Sequence, residues 1–148
     1  PNPAEALRYE AIATVYTQGA SRRLAAPMLA LRTGPDAPAQ FVFDREQLGG
    51  PPGLLAFVVS ASATERDALQ AQVLAQAAKQ LGETGLRVLQ TVVEKRATFA
   101  CTPGLLRPPA QIAPGLLACG DYVEGPYPAT LEGAIRSGAG AAFQLGAG

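Results

Sequence analysis

Apolar and polar positions alternate from Tyr9 to Gln18, and the stretch is rich in β-branched and aromatic residues, so it predicts a β-strand. Arg22 to Arg32 is apolar but interrupted by Pro27 and followed by Gly34-Pro35 and Pro38, which predicts a loop or a short extended piece. Gln40 to Asp44 reads as a short strand, and Gly49-Gly50-Pro51-Pro52-Gly53 as a turn. Leu54 to Ser60 is continuously apolar, the pattern of a central strand covered on both faces. The period then changes. Leu69, Val73, Ala77 and Leu81 recur every fourth residue and predict a helix, with Gln70, Gln72, Gln76, Lys79 and Gln80 on its wet side. Thr64-Glu65-Arg66-Asp67 resembles a capping box at its start, and Gly82 is the expected stop. Arg87 to Ala100 predicts a long strand, with Leu89, Val93, Ala97 and Phe99 on one face and Val88, Val92, Glu94, Arg96 and Thr98 on the other.

Residues 1–101 thus predict a mostly antiparallel sheet with one packed helix, an α+β arrangement. Thr102 to Pro114 holds Pro103, Pro108, Pro109 and Pro114 and predicts an extended crossover linker. Residues 115–148 read as a short buried strand, Gly115 to Cys119, followed by a helix from about Ala129 to Leu145. That helix places Leu131, Ala134, Ile135, Ala142 and Leu145 on one apolar face.

Composition narrows the function classes. The 148 residues suit one domain of ordinary hydrophobic content, and twelve basic residues balance twelve acidic ones, so nothing favours nucleic acid. The longest apolar stretch, Leu54 to Ala63, is too short to span a bilayer. Histidine is absent, which removes the commonest general base, the His-dependent nucleophile pairs and most transition-metal sites. No metal site is expected. Cys101 and Cys119 lie far apart in no CxxC arrangement and read as buried, reduced thiols.

The candidate chemistry lies late in the chain. Leu117-Ala118-Cys119-Gly120-Asp121-Tyr122 reads as a strand, a glycine turn and an acidic residue, ahead of a helix that opens on proline, small residues and a hydroxyl. A helix N-terminus presents unpaired N–H groups and partial positive charge, which favours carbonyl or anionic groups. An aspartate beside it suits a polyol better than a phosphate. Glu132 and Arg136, at i and i+4, read as an exposed ion pair. Early Gly133 leaves room for a close neighbour.

Gly120-Asp121 followed by Pro128-Ala129-Thr130-Leu131-Glu132-Gly133-Ala134 and Ser137-Gly138 resembles the last FAD-binding motif of the flavin amine oxidase and phytoene desaturase superfamily. Tyr9 to Tyr16, Phe41 to Arg45, Gln47 to Gly50 and Glu94 to Ala100 are similar to its squalene-associated FAD-dependent desaturase branch, the hydroxysqualene dehydroxylases of hopanoid biosynthesis. The resemblance covers nearly the whole chain and is most specific in its last third.

It implies a substrate-domain portion at residues 1–101 and, at 115–148, the last strand and helix of a Rossmann-like FAD domain. The GxGxxG turn that opens such enzymes is not in the sequence, and the first residue is Pro1, so the expectation is the C-terminal piece of a longer flavoenzyme, inactive alone. The implied cofactor is FAD, with Gly120, Asp121, Pro128, Ala129, Thr130 and Leu131 as its contacts. Arg96, Tyr122 and Tyr127 are the weaker substrate candidates, and no residue is singled out as catalytic. Amine-oxidising members carry an aromatic where this chain has Thr130, so the isoprenoid branch fits better. The implied reaction is reductive dehydroxylation of hydroxysqualene to squalene. The alternatives are a carotenoid- or phytoene-type desaturase or another member of the flavin amine oxidase family and, from another class, a non-catalytic α+β binding module. The implied setting is the cytoplasm, with peripheral membrane contact allowed, and a homodimer formed by exchange of the C-terminal segment is an allowed assembly.

Overall fold

Five strands form one sheet in a computed structural model that describes residues 7–60 and 65–146. They are β1 (Tyr9–Gln18), β2 (Met28–Ala30), β3 (Phe41–Asp44), β4 (Leu54–Ser60) and β5 (Arg87–Phe99), in the order β2-β3-β4-β1-β5. The pairs β2/β3, β3/β4 and β1/β4 are antiparallel, and the register sets Val15 beside Phe57 and Val42 beside Phe57 on the other flank. β4 is therefore the middle strand. Helix α1 (Arg66–Leu81) covers one face. The α+β class and the antiparallel sheet expected from the pattern are what the chain forms.

The chain divides into two compact units, one comprising Glu10–Ala97 and the other built from the segments on either side. The first holds the main core: Ala13, Val15, Ala39, Val42, Leu55, Phe57, Val59, Leu69, Val73 and Ala77 are all buried together. Odd-numbered residues of β1 and β4 meet the every-fourth-residue stripe of α1, as period-2 and period-3.6 faces must if they share a core. The second face of β4 is less covered than a strand buried on both sides, since Leu54 and Val58 are only half-buried, although Ala56 is buried.

Several details correct the pattern reading. The cap of α1 is Glu65, whose carboxylate accepts from the amides of Asp67 and Ala68; Thr64 lies outside the described residues. Gln76 is buried rather than wet. Its side chain accepts from the Ala39 amide (2.9 Å) and donates to the carbonyls of Ala39 and Arg32, fastening the segment between β2 and β3 to α1. On β5, Leu89 and Val93 are exposed, and the buried residues of that face are Thr91 and the expected Phe99. Gly82 closes α1 as expected, its N–H reaching the Ala78 carbonyl.

Asp44 ends β3 as a hub: its carboxylate accepts from the amides of Leu24, Glu46 and Gln47 and from the Gln47 side chain. Burial pushes this carboxyl up, but the hydrogen bonds from Gln47, Leu24 and Glu46 outweigh it and hold the pKa below the ordinary value. The Phe41-to-Arg45 stretch thus owes part of its residue choice to loop architecture.

The second unit departs further from expectation. The proline-rich stretch contributes its own strand, β6 (Gln111–Ala113), paired antiparallel with β7 (Leu116–Leu117). The strand expected over Gly115 to Cys119 is only two residues long, and Leu116 is exposed instead of buried, because its pairing partner is this short hairpin. Helix α2 (Leu131–Gly146) begins two residues later than expected. Its buried residues are Gly133 and Ala141, while Leu131, Ile135 and Leu145, the expected core face, are exposed. Cys101 and Cys119 are both free thiols, and both are exposed, contrary to the buried reading.

Candidate functional site

The loop between β7 and α2 is assembled around a glycine, two left-handed residues and a helix cap. The Gly120 amide donates to Ser137 Oγ (3.2 Å), tying the loop's start to the second turn of α2. The Tyr122 ring lies against the bare Gly120 Cα, where a Cβ would come within 2.5 Å of a ring carbon. Tyr127 and Ala129 both adopt positive φ (57° and 56°), a costly conformation for residues with a Cβ. The Ala129 amide donates to the Asp121 carbonyl (3.3 Å), which closes the loop on itself.

Thr130 is the cap of α2. Its hydroxyl donates to the Tyr127 carbonyl (2.6 Å) and accepts from the Gly133 amide (3.0 Å). Gly133 is required here because a Cβ would collide with the Tyr127 carbonyl oxygen. The close neighbour foreseen for this glycine is thus the preceding loop of the same chain. With Gly133 committed to the cap, the amides of Leu131 and Glu132 are the first-turn donors without an acceptor among the described residues.

A cleft of about 170 Å³ lies between this loop and the first turns of α2, lined by Asp121, Val123, Glu124, Gly125, Pro126, Gly133, Arg136 and Ser137. Asp121 is half-buried, and its carboxylate has no hydrogen-bond partner among the described residues. Arg136 pairs with Glu132 (2.5 Å) across one helical turn and lies over the Tyr127 ring, 5.1 Å from its centre. The expected ion pair is therefore present, and exposed.

Of the candidates read from the sequence, Gly120, Asp121, Tyr122, Tyr127, Pro128, Ala129, Thr130 and Leu131 fall together on this one loop and helix start. Among them only Asp121 lines the cleft. Ala129 lies outside the helix it was expected to open. Arg96 belongs to the other unit, exposed on β5, where its amide donates to Glu94 Oε1. The sequence reading passed over Arg107. Its guanidinium donates to the carbonyls of Val123 (2.7 Å) and Gly125, within the cleft-lining loop.

Over 77 residues the chain is 41% identical to the hydroxysqualene dehydroxylase of Rhodopseudomonas palustris (strain ATCC BAA-98 / CGA009). That alignment takes in 49% of this chain and 18% of the relative, so the chain matches less than a fifth of that protein's length. A profile of the flavin containing amine oxidoreductases matches residues 9–145, from the first strand to the end of the last helix. The chain belongs to the flavin containing amine oxidoreductase family.

Proposed function

We propose that this chain is the C-terminal part of an FAD-dependent oxidoreductase that reductively removes the hydroxyl of hydroxysqualene in hopanoid biosynthesis. The observation that carries the reading is the similarity to a hydroxysqualene dehydroxylase, on a chain whose candidate contacts gather at one helix start. On this reading residues 1–101 form part of the substrate domain, 102–114 the crossover, and 115–148 the closing strand and helix of a Rossmann-like FAD domain.

The residues fit a part of such a cofactor. Complete ligand pockets run from about 300 to 1,000 Å³, and the Asp121 cleft, near 170 Å³, is below that range. It has room for a hydroxylated chain and too little for a dinucleotide. The unpartnered Asp121 carboxylate is an acceptor for polyol hydroxyls. The open amides of Leu131 and Glu132, at the positive end of α2, are donors for a ring carbonyl. A bound flavin would supply the hydride chemistry. The chain's own part is to orient that group and to stabilise negative charge on it with the helix end. Tyr122 and Tyr127 flank the same loop as candidate walls of a substrate channel. The exposed Leu131, Ile135 and Leu145 of α2 then face the remainder of the flavoprotein, or a second copy.

The test is purification of the whole polypeptide that contains this chain, followed by assay on hydroxysqualene. Retained flavin and formation of squalene are the expected results. Desaturation of phytoene, with hydroxysqualene untouched, would move the enzyme to the carotenoid branch. Absence of any flavin would support a binding module. Within that polypeptide, Asp121→Ala is expected to weaken flavin retention by about 1–3 kcal/mol, the cost of losing an acceptor for buried hydroxyls. The unfolding midpoint of the flavin-free polypeptide should not move, because the Asp121 side chain has no intramolecular partner among the described residues.

A further inference from the structure

We infer that Arg107 is a positioning residue for the cofactor-facing loop, acting through the backbone of Val123 to Gly125. The inference rests on the reading that this loop contacts flavin. Three successive loop residues are anchored to two successive residues of the proline-rich segment. Arg107 Nη1 donates to the Val123 carbonyl (2.7 Å), Nη2 donates to the Gly125 carbonyl, and the Glu124 amide donates to the Pro108 carbonyl (2.8 Å). Pro108 and Val123 are buried and the bond to Val123 is half-buried, while the bond to Gly125 is exposed, so the clamp is seated at its Val123 end.

All three clamped residues line the cleft with Asp121, whereas Arg107 does not. Its influence on anything bound there is therefore indirect. The chemistry explains the residue type. A guanidinium is planar and carries five donors in a fixed fork, so one side chain can hold two carbonyls in a set relation. A lysine ammonium is a point donor on a flexible stem and cannot hold both in that geometry. The clamp also gives the loop a shape that its own residues would not. Gly125 (φ 151°) is free of side-chain restraint, and the loop ends in the left-handed Tyr127 and Ala129. Fixing Val123 to Gly125 fixes one side of the cleft, and the Asp121 carbonyl, bound to the Ala129 amide, closes the other.

The experiment has two arms. In the chain itself, amide exchange is compared between wild type, Arg107→Ala and Arg107→Lys. Exchange at Glu124 should rise about tenfold or more in Arg107→Ala, the factor that matches loss of one hydrogen bond to a charged donor. The sheet amides should stay unchanged. In the whole flavin-binding polypeptide, flavin dissociation is measured for the same variants with Asp121→Ala in parallel. Arg107→Ala should dissociate flavin about tenfold faster by the same conversion, Arg107→Lys should be intermediate, and added guanidinium should restore Arg107→Ala in part. If Asp121→Ala loses flavin and Arg107→Ala does not, the positioning role is wrong and the site reading stands. If neither variant loses flavin, the site reading falls and the inference with it. A rise in exchange spread through all of α2 would show a general structural role and would also overturn the inference.

Discussion

The two units of this chain are held together by different forces. The Glu10–Ala97 unit is built on burial: Val15, Val42, Phe57 and Val73 are fully excluded from solvent, and strand and helix periods converge on one apolar layer. The unit carrying the cleft has few such residues. Leu7, Phe99, Val123 and Ala141 are buried, while Leu106, Leu131, Ile135 and Phe143 are each more than two-thirds exposed. Its order comes from directional contacts: the Arg107 clamp, the Thr130 cap, the Gly120–Ser137 bond and the β6/β7 hairpin. Burial is non-directional and scales with area, whereas each hydrogen bond adds only about 1 kcal/mol net but fixes an angle. The sheet unit is thus made for stability, and the cleft unit for the placement of a few groups.

The largest expected contrast follows directly. Phe57→Ala empties the centre of the sheet core and should lower stability by about 3–5 kcal/mol, a large part of a typical domain's total. Phe143→Ala removes a ring of the same size that is 78% exposed, and should change stability by no more than about 0.5 kcal/mol. Urea unfolding of both variants measures this. Equal losses would show that Phe143 is buried in solution and that the comparison is false.

Gln76 sharpens it, because this is the place where the burial-driven unit relies on direction. Gln76→Leu keeps the size but strands the amide and carbonyl of Ala39, and should lower stability by about 1–3 kcal/mol. Gln80→Leu, whose bonds to the Arg32 backbone are exposed, should cost far less by the same measurement.

These residues also mark how far the sequence was legible. Leu69, Val73, Ala77 and the Gly82 stop were readable, because periodicity is a direct imprint of which face is buried. Gln76 was misread. Its burial answers the needs of backbone groups some forty residues away, and a polar residue beside an apolar stripe looks like any wet one. The α2 stripe shows the converse limit. Leu131, Ile135 and Leu145 do repeat at helical spacing, but spacing says which residues share a face and not what covers it. The loop from Gly120 to Leu131 was legible as a group, since glycine, proline and a capping hydroxyl have local signatures. The clamp was not, because Arg107 bonds carbonyls 16 and 18 residues away and leaves no periodic trace.

A smaller effect, set by pH, belongs to the loop that follows β3. Asp44 has a lowered pKa in the folded chain. The unfolded value is about 3.9. Its contribution to stability is therefore complete above that value and is lost as pH falls through the lower folded pKa. Acid unfolding below about pH 4 should be less steep in Asp44→Asn than in wild type. An unchanged acid limb would mean that the hub around Leu24, Glu46 and Gln47 does not depend on charge.

One modest expected change has the opposite sign. Thr17 is fully buried on β1, and its hydroxyl has no hydrogen-bond partner among the described residues. It lies opposite Leu55 in the register, on the face shared with Val15 and Ala13. A buried hydroxyl without a partner costs about 1–3 kcal/mol relative to water, and valine has nearly the same shape without that cost. Thr17→Val should therefore stabilise the chain by about 1 kcal/mol, the lower end of that range, because a hydroxyl rotor finds some weak acceptor. Thermal unfolding of the variant reads it. A rise in midpoint would confirm that apolar burial alone orders this strand. A fall would reveal a bound water or a relaxed bond at Thr17, and with it a directional element at the centre of the sheet.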